Sequence, residues 1–179
     1  MLYLVRHGEA AASWGNHPNP GLSDLGHRQA ESAATELHAL GVSHIVSSPM
    51  QRCGETARPL EARLGLTASI IEEVSEISTP KDIHDRVEWL RVFMGGTWEN
   101  EASTHRAWRD AMIARLEGLP DNTVVFTHFV AINAVVSKLQ QRAETLVFRP
   151  TYCSVTTLER SAEGLKIQQL GSESDTRVL

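Results

Sequence analysis

Two arginines and two histidines of this chain fall where α/β proteins collect their ligands. Leu2-Tyr3-Leu4-Val5 reads as a buried strand that stops at Arg6-His7-Gly8. Thr123 to Thr127 is the clearest buried strand, and it stops at His128. Between them, Val42 to Ser48 reads as a strand ending in Ser47-Ser48-Pro49, and a helix starting near Met50 carries Arg52 in its first turn. In a mainly parallel sheet the carboxyl ends of the strands lie along one edge, the crevice where open α/β folds bind ligands. Cations and imidazoles converging there suit an anion. Singly, each strand end stays ambiguous: Arg6-His7 also fits groups facing solvent, and Arg52 an arginine reaching outward. Yet Arg52 opposes the positive end of its helix, a conflict that a bound anion relieves. Gly8 lets the backbone turn, or approach a ligand, where a Cβ would clash.

The elements that must position these groups follow from hydrophobic spacing. Ala10 to Gly21 is rich in Pro, Gly and Asn and reads as a loop over the same crevice. Its Ser13, Asn16 and His17 are candidate hydrogen-bond donors to a ligand, or loop groups facing water. Ser23 is an N-cap for a helix with Ala30, Ala33, Ala34, Leu37 and Leu40 on one face, stopped by Gly41; His27 and His38 fall on its surface. Cys53, Ala57, Leu60 and Leu64 form the buried stripe of the helix that Gly65 ends. Ala68 to Ile71 is a third strand, leading into the acidic stretch Glu72 to Ile77.

Pro80 to Met94 is predicted as a helix with Ile83, Val87, Leu90 and Met94 in phase. Ser103 to Leu116 is another, with Trp108, Ala111, Met112 and Leu116 inward and Arg106 and Arg109 on a solvated face. Together they make an excursion over residues 78–118 that is expected to cap the site. A helix over Ala131 to Gln140 follows His128, with Ile132, Val135, Val136 and Leu139 in phase. Tyr152 to Leu158 and Leu165 to Leu170 read as a closing pair of strands, and Ser172 onward as a loose tail.

Composition bounds the function. A chain of 179 residues, 41% hydrophobic and 22% charged, suits one domain spanning 1–179 with a substantial core. A net charge of -5 argues against a general nucleic-acid binder, so a local basic cluster favours a small anion. Cys53 and Cys153 have no zinc or C-x-x-C spacing and, with no signal peptide visible, fit a reducing cytoplasm. No apolar run approaches the ~20 residues that span a bilayer, so no membrane partner is expected.

The sequence resembles the histidine phosphatase superfamily, the phosphoglycerate-mutase-like fold. The likeness rests on Leu4-Val5-Arg6-His7-Gly8-Glu9, on Gly21-Leu22-Ser23-Asp24-Leu25-Gly26 with Gln29-Ala30, and on Ser47 to Arg52 with Thr56-Ala57. Thr127-His128 and Ser154-Val155-Thr156 continue it. The resemblance implies a three-layer α/β/α sandwich with a mainly parallel central sheet and helices on both faces. It implies His7 as a nucleophile forming a phosphohistidine, with Arg6 and Arg52 holding the phosphoryl oxygens and His128 donating to them. It implies Glu76 as the acid that protonates the leaving alkoxide, with Glu73 as the alternative, and no metal or other cofactor. Ser13, Asn16, Gly21 and Phe129 complete the expected phosphate and substrate contacts.

Two features depart from the family pattern. Phe129 follows His128 where a small residue is common, and it either narrows the pocket or stacks on a substrate. Residues 78–103 lack the glycine-containing pieces seen in many small phosphatases, so substrate identity does not transfer. Trp14, Trp98 and Phe129 fit either an apolar pocket or the core. The expected activity is metal-independent hydrolysis of a small phosphorylated metabolite. Mutase-type phosphoryl transfer, a protein phosphohistidine phosphatase and a non-catalytic phospho-ligand module are the rivals, and oligomeric state is left open.

Overall fold

A computed structural model of the chain describes residues 1–12 and 18–174. Six strands form one sheet in the order β3-β2-β4-β1-β5-β6. Strand β1 is Leu2–Arg6, β2 His44–Ser47, β3 Ser69–Ile70, β4 Thr123–Thr127, β5 Val155–Ser161 and β6 Gly164–Gln169. Strands β1 to β4 run parallel, β5 runs antiparallel to β1, and β6 antiparallel to β5. Helices α1 (Asp24–Ala39), α2 (Gln51–Leu64), α3 (Arg86–Met94), α4 (Ser103–Glu117) and α5 (Phe129–Leu139) complete the order.

Strand alternation splits the core into two layers. Tyr3, Val5, Ile45, Val124 and Phe126 face Ala33, Ala34 and Leu37 of α1 and Cys53, Ala57 and Leu60 of α2. Leu2, Leu4, Val46 and Val125 face the opposite side, against Met112 and Leu116 of α4 and Ile132, Val135 and Val136 of α5. The result is the α/β/α sandwich with a mainly parallel sheet expected from the resemblance. A third cluster joins Leu90 and Phe93 of α3 with Trp98, Ile77, Phe129 and Val130, so α3 packs over the first turn of α5. Trp98 is therefore core, and its indole N–H donates to Ser137 Oγ at 2.8 Å.

Local signals explain most boundaries. Ser23 Oγ accepts from Gly26 N at 3.0 Å and starts α1. Gly41 and Gly65 sit at φ of +70° and +64°, left-handed positions that end α1 and α2. Gly8 and Gly26 meet face to face: a Cβ on Gly8 would lie 2.7 Å from the Gly26 carbonyl oxygen, so the turn after β1 is seated directly on α1.

Several expectations are corrected. Helix α3 begins at Arg86, not Pro80, because the Asp85 carboxylate accepts from Glu88 N and caps it there; Ile83 and Val87 are 37% and 41% exposed. Leu40, placed on the buried face of α1, is 46% exposed because the helix has already ended. Ala111 faces outward, whereas Arg109 lies buried with its guanidinium 4.4 Å above the Trp98 ring. Strand β5 starts at Val155, after a turn in which Cys153 takes a φ of +57°. Helix α5 starts earlier than expected, at Phe129. Residues 172–174, expected as loose tail, are tied down: Thr151 N donates to Ser172 O, and Arg149 N to Glu173 Oε1. No helix among the described residues is long and apolar enough to cross a membrane.

Candidate active site

Parallel pairing brings the reactive groups to one edge. Arg6 pairs with Thr127 across β1 and β4, and Ser47 with Phe126 across β2 and β4. The ladder continues one step further: His7 N donates to Thr127 O, and Ser48 N to Phe126 O, both at 3.0 Å. His7, His128 and Ser48 thus leave three neighbouring strands at the same level. The rings of His7 and His128 lie 5.3 Å apart, edge to face.

The hydrogen bonds define both tautomers. His7 Nδ1 lies 2.7 Å from the Gly8 carbonyl, which can only accept, so Nδ1 carries the proton. Arg52 Nε donates to His7 Nε2 at 3.1 Å, which leaves that nitrogen as the atom with the lone pair. Arg52 Nη2 lies 3.2 Å from His128 Nδ1, and a guanidinium has no acceptor, so His128 carries its proton on Nε2 and donates to Ser48 Oγ at 2.8 Å. Burial first, and Arg52 next, hold both imidazoles well below the ordinary histidine value, so both are neutral at pH 7. The Thr56 hydroxyl supports the frame: it accepts from Gly8 N at 3.0 Å and donates to the Arg52 carbonyl at 2.6 Å.

Arg6 is held between two rings. Its guanidinium carbon lies 3.9 Å from the Tyr152 ring centre and 5.0 Å from that of Phe129, and Nη1 donates to Pro150 O at 2.8 Å. Burial lowers its pKa to about 10, which still leaves it cationic. Phe129 is 3% exposed and packs against Arg6 and, with Ile77, Leu90 and Phe93, in the core. Tyr152 joins the site without a signal in the sequence, because its place depends on the turn before β5.

Glu76 is buried and engaged. Its Oε1 accepts from Ile77 N and Ala131 N, both at 3.0 Å, and its Oε2 from Val130 N at 3.1 Å. The carboxylate therefore caps α5, whose own N-cap, His128, offers no side-chain cap. Burial raises the Glu76 pKa, and the Ile77 and Val130 N–H donors, with the charges of Arg52 and Arg86, pull it back only in part. Glu73 lies in the 3-10 turn Glu72–Val74 and is exposed.

The remaining expected residues fall elsewhere. Gly21 meets α2, where a Cβ would lie 2.7 Å from the Glu55 carboxylate, and its carbonyl accepts from Ala11 N. Ser13, Trp14, Asn16 and His17 lie outside the described residues. Cys53 Sγ lies 3.4 Å from His128 Nε2, but burial pushes its thiol up to about 12, so it is no nucleophile at neutral pH. Among the described residues no group of three or more His, Cys, Asp or Glu could hold a metal ion.

A model of the histidine phosphatase superfamily (branch 1) matches residues 2–173. The chain belongs to the histidine phosphatase superfamily. A bifunctional protein of Mycobacterium tuberculosis is 30% identical over 112 residues, a match that takes in 60% of this chain and 29% of the mycobacterial protein. Probable phosphoglycerate mutase GpmB of Escherichia coli is 27% identical over 162 residues, covering 78% of this chain and 74% of GpmB. Among solved structures, phosphoserine phosphatase of Entamoeba histolytica with 3-phosphoglyceric acid has a TM-score of 0.76 at 21% identity, covering 96% of each chain. A mycobacterial glucosyl-3-phosphoglycerate phosphatase with vanadate has a TM-score of 0.75 at 20% identity, covering 96% of this chain and 99% of that one. These two likenesses establish the fold of the superfamily.

Proposed function

We propose that the chain is a phosphatase that hydrolyses a small phosphomonoester through a phosphohistidine on His7, without a metal. One observation carries this reading: the His7 ring is neutral, its Nδ1 proton is held by Gly8 O, and its Nε2 lone pair faces Arg52. That nitrogen attacks phosphorus, the ester P–O bond breaks, and the leaving alkoxide takes the proton of Glu76. Water then attacks the phosphohistidine, Glu76 takes its proton back, the P–N bond breaks, and inorganic phosphate leaves.

Arg52 and Arg6 hold the phosphoryl oxygens by charge-assisted hydrogen bonds. In the other His128 tautomer, reached when water takes the Nε2 proton and another water protonates Nδ1, the Ser48 hydroxyl donates to Nε2 and Nδ1–H donates to the same oxygens. Residues 1–179 act as one unit on this reading, with α3 and α4 closing the leaving-group side. Two free thiols fit a reducing, cytoplasmic setting.

Mutase-type transfer is the alternative that the likeness to GpmB supports. Release of inorganic phosphate from p-nitrophenyl phosphate in EDTA, compared between wild type and His7→Ala, tests the reading. Release by wild type that the variant loses is expected. A variant as active as wild type sinks the mechanism, and rapid phosphoryl exchange between esters with little release of phosphate favours the mutase.

A further inference from the structure

Arg6 is fixed by parts of the chain that lie far apart in sequence. Its guanidinium carbon lies 3.9 Å from the Tyr152 ring centre and 5.0 Å from that of Phe129, and Nη1 donates to Pro150 O at 2.8 Å. Pro150 is in turn bridged to Glu173, and Thr151 N donates to Ser172 O. The faces of both rings carry negative charge that attracts a cation, and a flat guanidinium against a ring loses freedom to rotate.

Phe129 differs from Tyr152 in what else it joins. Tyr152 is partly exposed, whereas Phe129 is buried in one cluster with Ile77, Leu90, Phe93 and Trp98. The two residues after Phe129 supply N–H groups to the Glu76 carboxylate. One short segment therefore touches the cation at His7 and anchors the carboxyl assigned to the leaving group.

Those two charges attract each other across the site. An ion pair between them would occupy the cation meant for phosphate and keep the acid ionised. The Glu76 oxygens instead accept from the backbone of Ile77, Val130 and Ala131. The Arg6 fork stays against the rings and the Pro150 carbonyl.

We propose that Phe129 is a positioning residue, whose ring keeps the Arg6 guanidinium oriented towards the phosphoryl oxygens and apart from the Glu76 carboxylate. What Arg6 binds rests on the phosphatase reading above; how its fork is held does not.

The test replaces Phe129 with a trifluorinated phenylalanine, which nearly keeps the ring's shape and removes most of the negative charge from its face. Phe93, in the same cluster, takes the same replacement as a control for packing. Phe129→Leu removes the ring and leaves an apolar side chain. Calorimetry reads the Kd of inorganic phosphate, and NMR of the Arg6 guanidinium reads rotation about its Nε–Cζ bond.

Wild type is expected to show separate, slowly exchanging Nη1 and Nη2 signals for Arg6. Fluorination at position 129 should weaken phosphate binding about threefold, and Phe129→Leu about tenfold, with faster rotation in both. Fluorination at position 93 should change neither. Fluorination at position 129 that leaves either the Kd or the rotation as in wild type overturns the proposal. So does an equal effect at position 93, which assigns the change to packing of the cluster. A wild type that neither binds phosphate nor releases it from p-nitrophenyl phosphate removes the phosphatase reading, while the rotation of Arg6 still decides the role of Phe129.

Discussion

Arg52 Nε donates to His7 Nε2 at 3.1 Å, so the guanidinium lies along the lone pair of that nitrogen. The same group reaches His128 Nδ1 through Nη2 at 3.2 Å. Arg52 therefore holds both imidazoles at once.

Arg52→Lys keeps one positive charge and loses the planar fork. A lysine cannot serve His7 and His128 together with the geometry of Nε and Nη2. We expect kcat/KM for p-nitrophenyl phosphate to fall by about 10²-fold, the worth of one or two charged hydrogen bonds. Steady-state kinetics beside a circular dichroism spectrum checks this. A folded variant that keeps most of its activity would show that charge alone is enough.

Burial and the neighbouring arginines hold His7 and His128 below their ordinary value. A histidine with a depressed folded pKa binds fewer protons in the native state than in the unfolded one. Its contribution to stability is complete above the unfolded value of about 6.5 and declines as pH falls below it. Each such group adds a slope of about 1.4 kcal/mol per pH unit in that window. Urea unfolding from about pH 8 to about pH 5 should show this loss in wild type and a shallower one in His128→Asn. Parallel slopes in the two proteins would contradict a neutral, buried His128.

Glu76→Gln removes the transferable proton and keeps a carbonyl oxygen able to accept from Ala131 N or Val130 N. An alkyl phosphate needs its leaving oxygen protonated, and p-nitrophenolate does not. The variant is expected to lose about 10²-fold or more on an alkyl ester and far less on p-nitrophenyl phosphate. The alkaline limb of the wild-type rate profile, set by the raised Glu76 carboxyl, should disappear with it. Equal losses on both esters would reduce Glu76 to a cap of α5.

Ser48 Oγ accepts the His128 Nε2 proton at 2.8 Å, and a hydroxyl can also donate to that nitrogen. Ser48→Ala leaves the buried Nε2–H without this partner, at a cost of about 1–3 kcal/mol in stability. It also removes the hydroxyl that donates to Nε2 when the ring proton is on Nδ1. We expect a larger loss in kcat than in KM, and an altered His128 ring-nitrogen signal by NMR when vanadate binds. A variant with a normal kcat and an unchanged signal would detach Ser48 from His128 in the reaction.

Much of this arrangement was legible because its signals are local. The apolar runs of β1 and β4, the Ser23 cap, the Gly65 stop and the misplaced charge of Arg52 each lie within one element. What the sequence hid depends on partners far along the chain. Glu76 reads as an acidic residue after a strand, yet its contacts are backbone groups of residues 130 and 131. Arg6 is sandwiched by rings from the start of α5 and from the turn before β5, contacts with no local sequence signal. Pro80 imitated a helix start that Asp85 supplies, and the apolar stem of Arg109 does not reveal that Trp98 lies beneath it.

The strand order also sets when the site can exist. Strand β4 lies between β1 and β2, although the chain makes it last of the three. Residues 1–100 already hold Arg6, His7, Arg52 and Glu76, but before β4 is made β1 has no parallel neighbour and β2 has only the two residues of β3 beside it. Closing this gap joins residues more than a hundred positions apart, a slow step for any chain. The site therefore cannot assemble before residues 123–128 are made. His7 gains its partner ring only when β4 slides into the middle of the sheet.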